Sequence, residues 1–279
     1  MDRIAPHFTV GPWVTAATQT AGEALFVIGD VHGCTMLLKT MLDAVAGLGA
    51  EVTAPARLVF LGDMVDRGPD SIGTLRLWAR VEPAPGIACV SRLMGNHEQL
   101  LLIANGDGPE SDEACGIWLS GNGDTTLAEM RAAVDGQHAM PGARLLDAAL
   151  GPDVVARLGQ LQTHLQIGNL VLVHGGVDPM QPLTDFLALP WQTLSARPRH
   201  WAWITRGFLD WHGGFDGQII VHGHTPPAKQ RPFTGLDDPH VLSEDRLNLD
   251  GGSAITGIVA GAQIETGRYR ILRASTGLV

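Results

Sequence analysis

The feature that most narrows the possible folds is a repeat of position rather than of sequence. Three apolar runs, "ALFVIGD" (24–30), "ARLVFLGD" (56–63) and "GIACVSRLMGN" (86–96), each end in glycine followed by a carboxylate or its amide. The terminal residues are Asp30, Asp63 and Asn96, and both intervals, 63 − 30 and 96 − 63, are 33 residues. A continuous apolar run of this kind reads as a strand buried on both faces. Between the runs, "CTMLLKTMLDAVAGLG" (34–49) and "DSIGTLRLWARV" (70–81) carry apolar residues at helical spacing, the second with Asp70 or Ser71 as N-cap after Pro69. "HEQLLLIANG" (97–106) opens a third helix. The alternation predicts a βαβαβα unit with parallel strands and right-handed crossovers. Each unit then delivers its terminal polar residues to one edge of the sheet, where open α/β sheets place their ligands.

The later chain adds strands at "LVLVHGG" (170–176) and "QIIVHGH" (218–224), with short β-like runs at "RLNLDGG", "TGIVAGAQI" and "RYRILR". Residues 105–165 are rich in Ala, Gly and Asp, with helical patches at "TTLAEMRAAV" and "DVVARLGQL". They read as a helical insertion or cap within a single domain spanning 1–279. The Pro- and Trp-rich stretch 178–216 is too long for a structureless loop and is expected to face substrate or to be partly helical.

Composition excludes several classes. A net charge of −10 without any Lys/Arg run argues against nucleic-acid binding, which depends on many cationic contacts to phosphates. No stretch approaches the roughly 18 consecutive apolar residues of a membrane span, and the N-terminus lacks a signal-type apolar segment, which points to the cytoplasm. Three cysteines, Cys34, Cys89 and Cys115, with no CxxC pair, support neither a disulfide framework nor a zinc ribbon; they read as small buried hydrophobes. No feature fixes an oligomeric state.

Taken singly, each strand-end residue is ordinary: a Gly-Asp is a turn, a His on an apolar strand is a core residue, and Arg67 or Arg206 is a surface charge. Together they are not. "GDVHG" carries Asp30 and His32; "GDMVDRG" carries Asp63, Asp66 and Arg67; "GNHE" carries Asn96 and His97; "LVHGG" carries His174; "VHGHTP" carries His222 and His224. Burying so many carboxylates and imidazoles at one edge is very costly unless they coordinate cations. Carboxylate, amide and imidazole donors without thiolate suit Mn²⁺, Fe or Zn²⁺ and argue against a structural zinc. Five strand ends exceed the needs of one ion, so two divalent metals sharing one carboxylate, roughly 3.5–4 Å apart, fit better. Two such ions, two aspartates and one bridging hydroxide sum to about +1, a charge that attracts an anionic phosphoryl group.

In this order and spacing, GDVHG, GDMVDRG, GNHE, HGG and HGHTP resemble the calcineurin-like metallophosphoesterase superfamily, closest to the bacterial and phage-type branch of the phosphoprotein phosphatases. The resemblance covers roughly 24–104 and 168–251 and fades in 105–165. It implies an α/β fold, a sandwich of two mixed β-sheets flanked by helices. It implies that Asp30 and His32 hold the first metal, that Asp63 bridges, and that Asn96, His174 and one histidine of "HGH" complete the second. Aligned on Gly-His-Thr that histidine is His224, with His222 the alternative. Mn²⁺ is the first expectation for both metals. By the same resemblance His97 is the proton donor, Asp66 its orienting carboxylate, and Arg67 the arginine of the DRG motif. Arg206, in "WAWITRGF", resembles a second phosphate-gripping arginine. Gly95 lets the backbone approach the centre, and Glu98 reads as a helix-start carboxylate only.

Two substrates are implied: phosphoserine or phosphothreonine in a protein or peptide, and a dinucleoside tetraphosphate split symmetrically. The related tetraphosphatases share most of these motifs and resemble "RGPDSIGTLR", but their position corresponding to Asp66 is typically not Asp, which favours the protein phosphatase. A catalytically silent, metal-stabilised interaction module is the third alternative, and its signature, loss of a ligand position, is not found here.

Overall fold

The computed structural model describes residues 5–134, 141–230 and 238–277. Eleven strands occur among them: β1 (His7–Val10), β2 (Val14–Thr15), β3 (Ala24–Ile28), β4 (Ala56–Phe60), β5 (Cys89–Arg92), β6 (His164–Ile167), β7 (Leu170–Val173), β8 (Ile219–His222), β9 (Arg246–Asn248), β10 (Ile258–Glu265) and β11 (Arg268–Ser275). They form two leaves. One has the order β1-β11-β10-β3-β4-β5, with β2 paired to β11; the other is β6-β7-β8-β9.

The three glycine-terminated runs are β3, β4 and β5, and they pair in parallel as expected. The rest of that leaf is antiparallel, since β10 pairs antiparallel with both β3 and β11. The second leaf mixes in the same way: β7, β8 and β9 run parallel and β6 antiparallel. β1, β2 and β6 have no counterpart in the sequence reading; all are short, β1 and β6 are only partly buried and β2 is exposed, so apolar periodicity gives no signal for them.

The leading helices are α1 (Thr35–Glu51), α2 (Ser71–Ala79) and α3 (Asn96–Ala104). Asp70 caps α2, its side chain accepting from Gly73 N at 2.9 Å. β3 shows why the runs are continuously apolar. Leu25 and Val27 pack with Leu170, Leu172 and Val221 of the other leaf. Ala24, Phe26 and Ile28, on the opposite face, pack with Leu38 and Met41 of α1. Each such fully buried aliphatic side chain contributes about 1.5–3 kcal/mol relative to exposure.

The 105–165 insertion forms α4 (Ser111–Trp118), α5 (Asp124–Ala133), α6 (Ala143–Leu150) and α7 (Pro152–Leu158), and its residues 135–140 lie outside the described residues. Trp118, Leu127, Met130, Leu145 and Leu158 share one core with Phe26, Phe60 and Leu75, so the insertion is packed into the main layer. Stretch 178–216 contains short helical turns at Leu183–Leu187 and Arg206–Leu209. The three cysteines are free and half-buried rather than fully buried. Among the described residues no helix is long and apolar enough to cross a membrane.

Candidate metal centre and proton donor

Because β3, β4, β5, β7 and β8 point the same way within their leaves, their C-terminal loops converge. Asp63 is at the middle. Its Oδ2 lies 3.3 Å from His174 Nε2, 3.5 Å from His32 Nε2 and 4.0 Å from His97 Nε2. Asp30 Oδ2 is 3.9 Å from His32 Nε2. Asn96 Oδ1 lies 3.1 Å from His174 Nε2 and 2.8 Å from His224 Nδ1. Asp30, Asp63, His32, Asn96, His97 and His174 are all buried, and His224 is partly so.

Backbone carbonyls set the tautomers. His32 Nδ1 is 2.8 Å from Val65 O and His174 Nδ1 is 3.1 Å from Leu61 O, so both Nδ1–H groups donate to carbonyls and both Nε2 atoms face Asp63. Asp63 Oδ2 is buried and accepts no hydrogen bond from the described residues. An orphaned carboxylate oxygen ringed by imidazole nitrogens is the environment of a cation ligand. His32, Asp63 and His97 place ligand-type atoms within 4.8 Å of one another, and Asp63, His174 and His224 do the same, so Asp63 belongs to both groups. The donors fit a two-ion site with Asp63 shared.

Electrostatics follow from burial. Burial, then the charges of Asp250 and Asp63, push the Asp30 carboxyl well above its usual range. Burial also opposes ionisation of Asp63, but the facing His174 and His97 outweigh it and hold its pKa well below the ordinary value. Burial pushes His224 down to about 3 and lowers His32, keeping both rings neutral. His222 is also pushed down to about 3 by burial, but it packs edge-on against Phe208 at 4.9 Å, with Nδ1 3.1 Å from Gly223 O. Of the two "HGH" histidines, His224 is the one beside Asn96.

His97 is set apart by its partner: its Nδ1 lies 2.6 Å from Asp66 Oδ2. Although burial acts to lower its pKa, Asp63 and Asp66 raise it overall, and Asp63 raises His174 against burial in the same direction. Its neighbour Arg67 is exposed and brings Nη1 to 2.6 Å from His32 Nε2, at the mouth of the cluster. The structure thus gathers nine of the ten residues selected from sequence. Arg206 is the exception: it is exposed and lines a cavity of about 630 Å³ with Asp178, Met180 and Arg199, and no hydrogen bond or ion pair joins it to the cluster among the described residues.

The loops are bent hard to achieve this. His32, Asp63, Asp66, Arg67 and His224 all have positive φ, between 45° and 71°. Each costs about 1–2 kcal/mol for a side chain other than glycine, strain that gathers at functional sites. At Gly95 a Cβ would come within 2.2 Å of Asp63 Oδ1, so only glycine lets the third loop pack against that carboxylate.

Glu98 needs a correction. It is buried, and its carboxylate accepts from Asp63 N at 2.7 Å, Met64 N at 2.7 Å and Gly95 N at 3.0 Å. It ties the second motif loop to the third. Burial, with the charge of Asp63, pushes its pKa up to about 7 against the N–H donors that favour the anion. Asp250 passed unnoticed: Oδ2 is buried and unpartnered among the described residues, and burial together with Asp63 pushes it up to about 6. Its signal was present, because "LNLDGG" repeats the apolar-run-then-Asp pattern of the other loops. Trp203 was also missed; its ring is 6.3 Å from that of His224, which brings the 178–216 stretch to the rim of the centre.

A two-leaf α/β sandwich that buries carboxylates, an amide and imidazoles at its strand ends defines a class, the metallophosphoesterases, hydrolases of phosphoric esters that use divalent metals. Residues 24–252 match the calcineurin-like phosphoesterase family, and the chain belongs to it. Among curated relatives, a symmetrical bis(5'-nucleosyl)-tetraphosphatase of Methylococcus capsulatus is 30% identical over 154 residues, 53% of this chain and 52% of that protein. Serine/threonine-protein phosphatase 1 of Salmonella typhimurium is 33% identical over 112 residues, 39% of this chain and 44% of that protein. The chain spans about half the length of these curated relatives. The solved structure of a cold-active protein-tyrosine phosphatase from a psychrophilic Shewanella is similar in fold, with a TM-score of 0.53 at 19% identity, covering 91% of this chain and 78% of that one.

Proposed function

We propose that this chain is a phosphomonoesterase acting on phosphoserine or phosphothreonine in proteins. The observation that carries the proposal is the Asp66–His97 pair, 2.6 Å apart and buried beside Asp63. Asp30, His32 and Asp63 would hold one divalent ion, and Asp63, Asn96, His174 and His224 a second, with Mn²⁺ the first choice among hard-ligand metals. When bound, such a pair acidifies water and offsets charge on the phosphoryl group.

The remaining work falls to the protein. Asp66 accepts the Nδ1–H of His97, which leaves Nε2–H to protonate the departing oxygen. Serine and threonine leave as strongly basic alkoxides, so a positioned acid is worth most for them. Arg67, exposed at the mouth, is proposed to orient phosphoryl oxygens bidentately. Arg206, in the cavity that follows the His174 loop, is proposed as the second arginine on the substrate.

A second reading, symmetrical hydrolysis of diadenosine tetraphosphate, is favoured by the match to the Methylococcus protein. Its leaving group is a nucleoside diphosphate, weakly basic and less in need of an acid, so the His97 arrangement favours the first. Parallel assays with Mn²⁺ on a phosphoserine peptide and on diadenosine tetraphosphate test the choice. We expect kcat/KM for the peptide to be the larger by about tenfold or more, one decade of selectivity being modest for an enzyme pocket. A preference for the dinucleotide would replace the first reading with the second.

A further inference from the structure

Asp66 is fully buried, and its contacts do not come from the motif loops alone. Trp118, at the end of α4, donates Nε1–H to Asp66 Oδ2 at 2.9 Å, the oxygen that also faces His97. Thr126, in the first turns of α5, donates Oγ1–H to Oδ1 at 2.6 Å. The Asp66 backbone N–H is 3.2 Å from the same hydroxyl and 3.0 Å from Ser71 Oγ. Both donors are fully buried and belong to the insertion.

The surrounding contacts follow the same plan. Asn122 O accepts from Arg67 N at 3.3 Å, and Glu129 accepts from Ser71 N at 3.0 Å and Ile72 N at 2.9 Å. Asp66 and Arg67 both sit at strained positive φ, 71° and 67°, so outside contacts are needed to hold them there. The turn between α4 and α5 is built for the purpose: a Cβ at Gly123 would come within 2.3 Å of Trp118 Nε1, so only glycine lets the indole lie under it.

We infer that the insertion is an inner brace of the proton-donating pair, with Trp118 and Thr126 as positioning residues that fix the two oxygens of Asp66 behind His97. This rests on His97 being the acid of the proposed reaction. With each oxygen of Asp66 held by a donor from the insertion, the carboxylate is fixed in one orientation toward Nδ1, and His97 Nε2 is aimed in consequence. Neither residue touches substrate; each acts through Asp66.

The test compares the Mn²⁺-loaded protein with Trp118→Phe, Thr126→Val and Thr126→Ser on a phosphoserine peptide, whose leaving group needs an acid, and on p-nitrophenyl phosphate, whose does not. Trp118→Phe and Thr126→Val should each lower kcat on the peptide about tenfold, the loss of one hydrogen bond to a carboxylate, and lower it much less on the aryl ester. Thr126→Ser keeps the hydroxyl and should recover most of the peptide rate. In an Asp66→Asn background, Thr126→Val should add little further loss. Equal losses on both substrates, or no loss while Asp66→Asn shows the split, would overturn the brace and leave the general-acid reading standing. If His97→Ala and Asp66→Asn themselves lower both substrates equally, the acid reading fails and the brace fails with it. A folding defect announces itself as a matched fall in both rates with a lowered Tm, which also counts against the inference.

Discussion

Two regions meet at Asp66 and reach it by different means. The strand-end loops of residues 28–34, 61–68 and 93–98 place groups through short local turns, the first two set by positive φ angles and the third by the close approach of Gly95 to Asp63. The insertion supplies none of the candidate metal ligands, yet Trp118 and Thr126 hold the Asp66 carboxylate, and Glu129 holds the start of the following helix. The comparison teaches that ligands are a property of loops at one sheet edge, whereas orientation of those loops is distributed over the layer packed behind them.

The contrast breaks first at Asp63. Asp63→Asn removes the shared carboxylate and should lower Mn²⁺-dependent turnover by about a thousandfold or more while the brace stays intact. Full activity with unchanged metal content would show that the strand-end loops do not hold the ions as described. His97→Ala should lower kcat on a phosphoserine peptide by about a hundredfold or more, within the range for general acids, and far less on p-nitrophenyl phosphate. Equal losses would remove the proton from the comparison.

Glu98 sharpens it, since it is a brace made by the loops themselves. Glu98→Gln leaves one acceptor for three backbone N–H groups and should cost about 1.5–3 kcal/mol, visible as a Tm lower by several degrees. An unchanged melt would mean that the second and third loops need no tie. The smallest effect belongs to Asp250. Asp250→Asn takes a negative charge from beside Asp30 and Asp63 and should weaken Mn²⁺ binding about tenfold by titration calorimetry, with little effect on Tm. Unaltered affinity would show that this carboxyl does not act on the ions.

Much of this was legible from the chain. Asp30, Asp63 and Asn96 announce themselves because parallel strands at equal spacing end on one edge, and the glycine before each is a local signal. Glu98 was misread because three residues after a glycine a glutamate looks like an ordinary helix-start carboxylate; only the folding of the second loop onto the third gives it three donors. Arg206 was selected from a short pattern, and its exposed position in a neighbouring cavity follows from contacts among residues 178–207 that no local pattern encodes.

The sequence by itself determined which residue types stand at which strand ends, because apolar runs, helix caps and glycines act over a few residues and are read directly. It therefore determined the parallel core, the donor set and the pairing of Asn96 with His97. Only the tertiary structure decided that β10 and β11 extend the leaf antiparallel, that His224 rather than His222 stands beside Asn96, and that Trp118 and Thr126 reach Asp66 from 52 and 60 residues away. Those choices depend on burying apolar faces between layers, and a buried donor finds its partner only after the layers have closed.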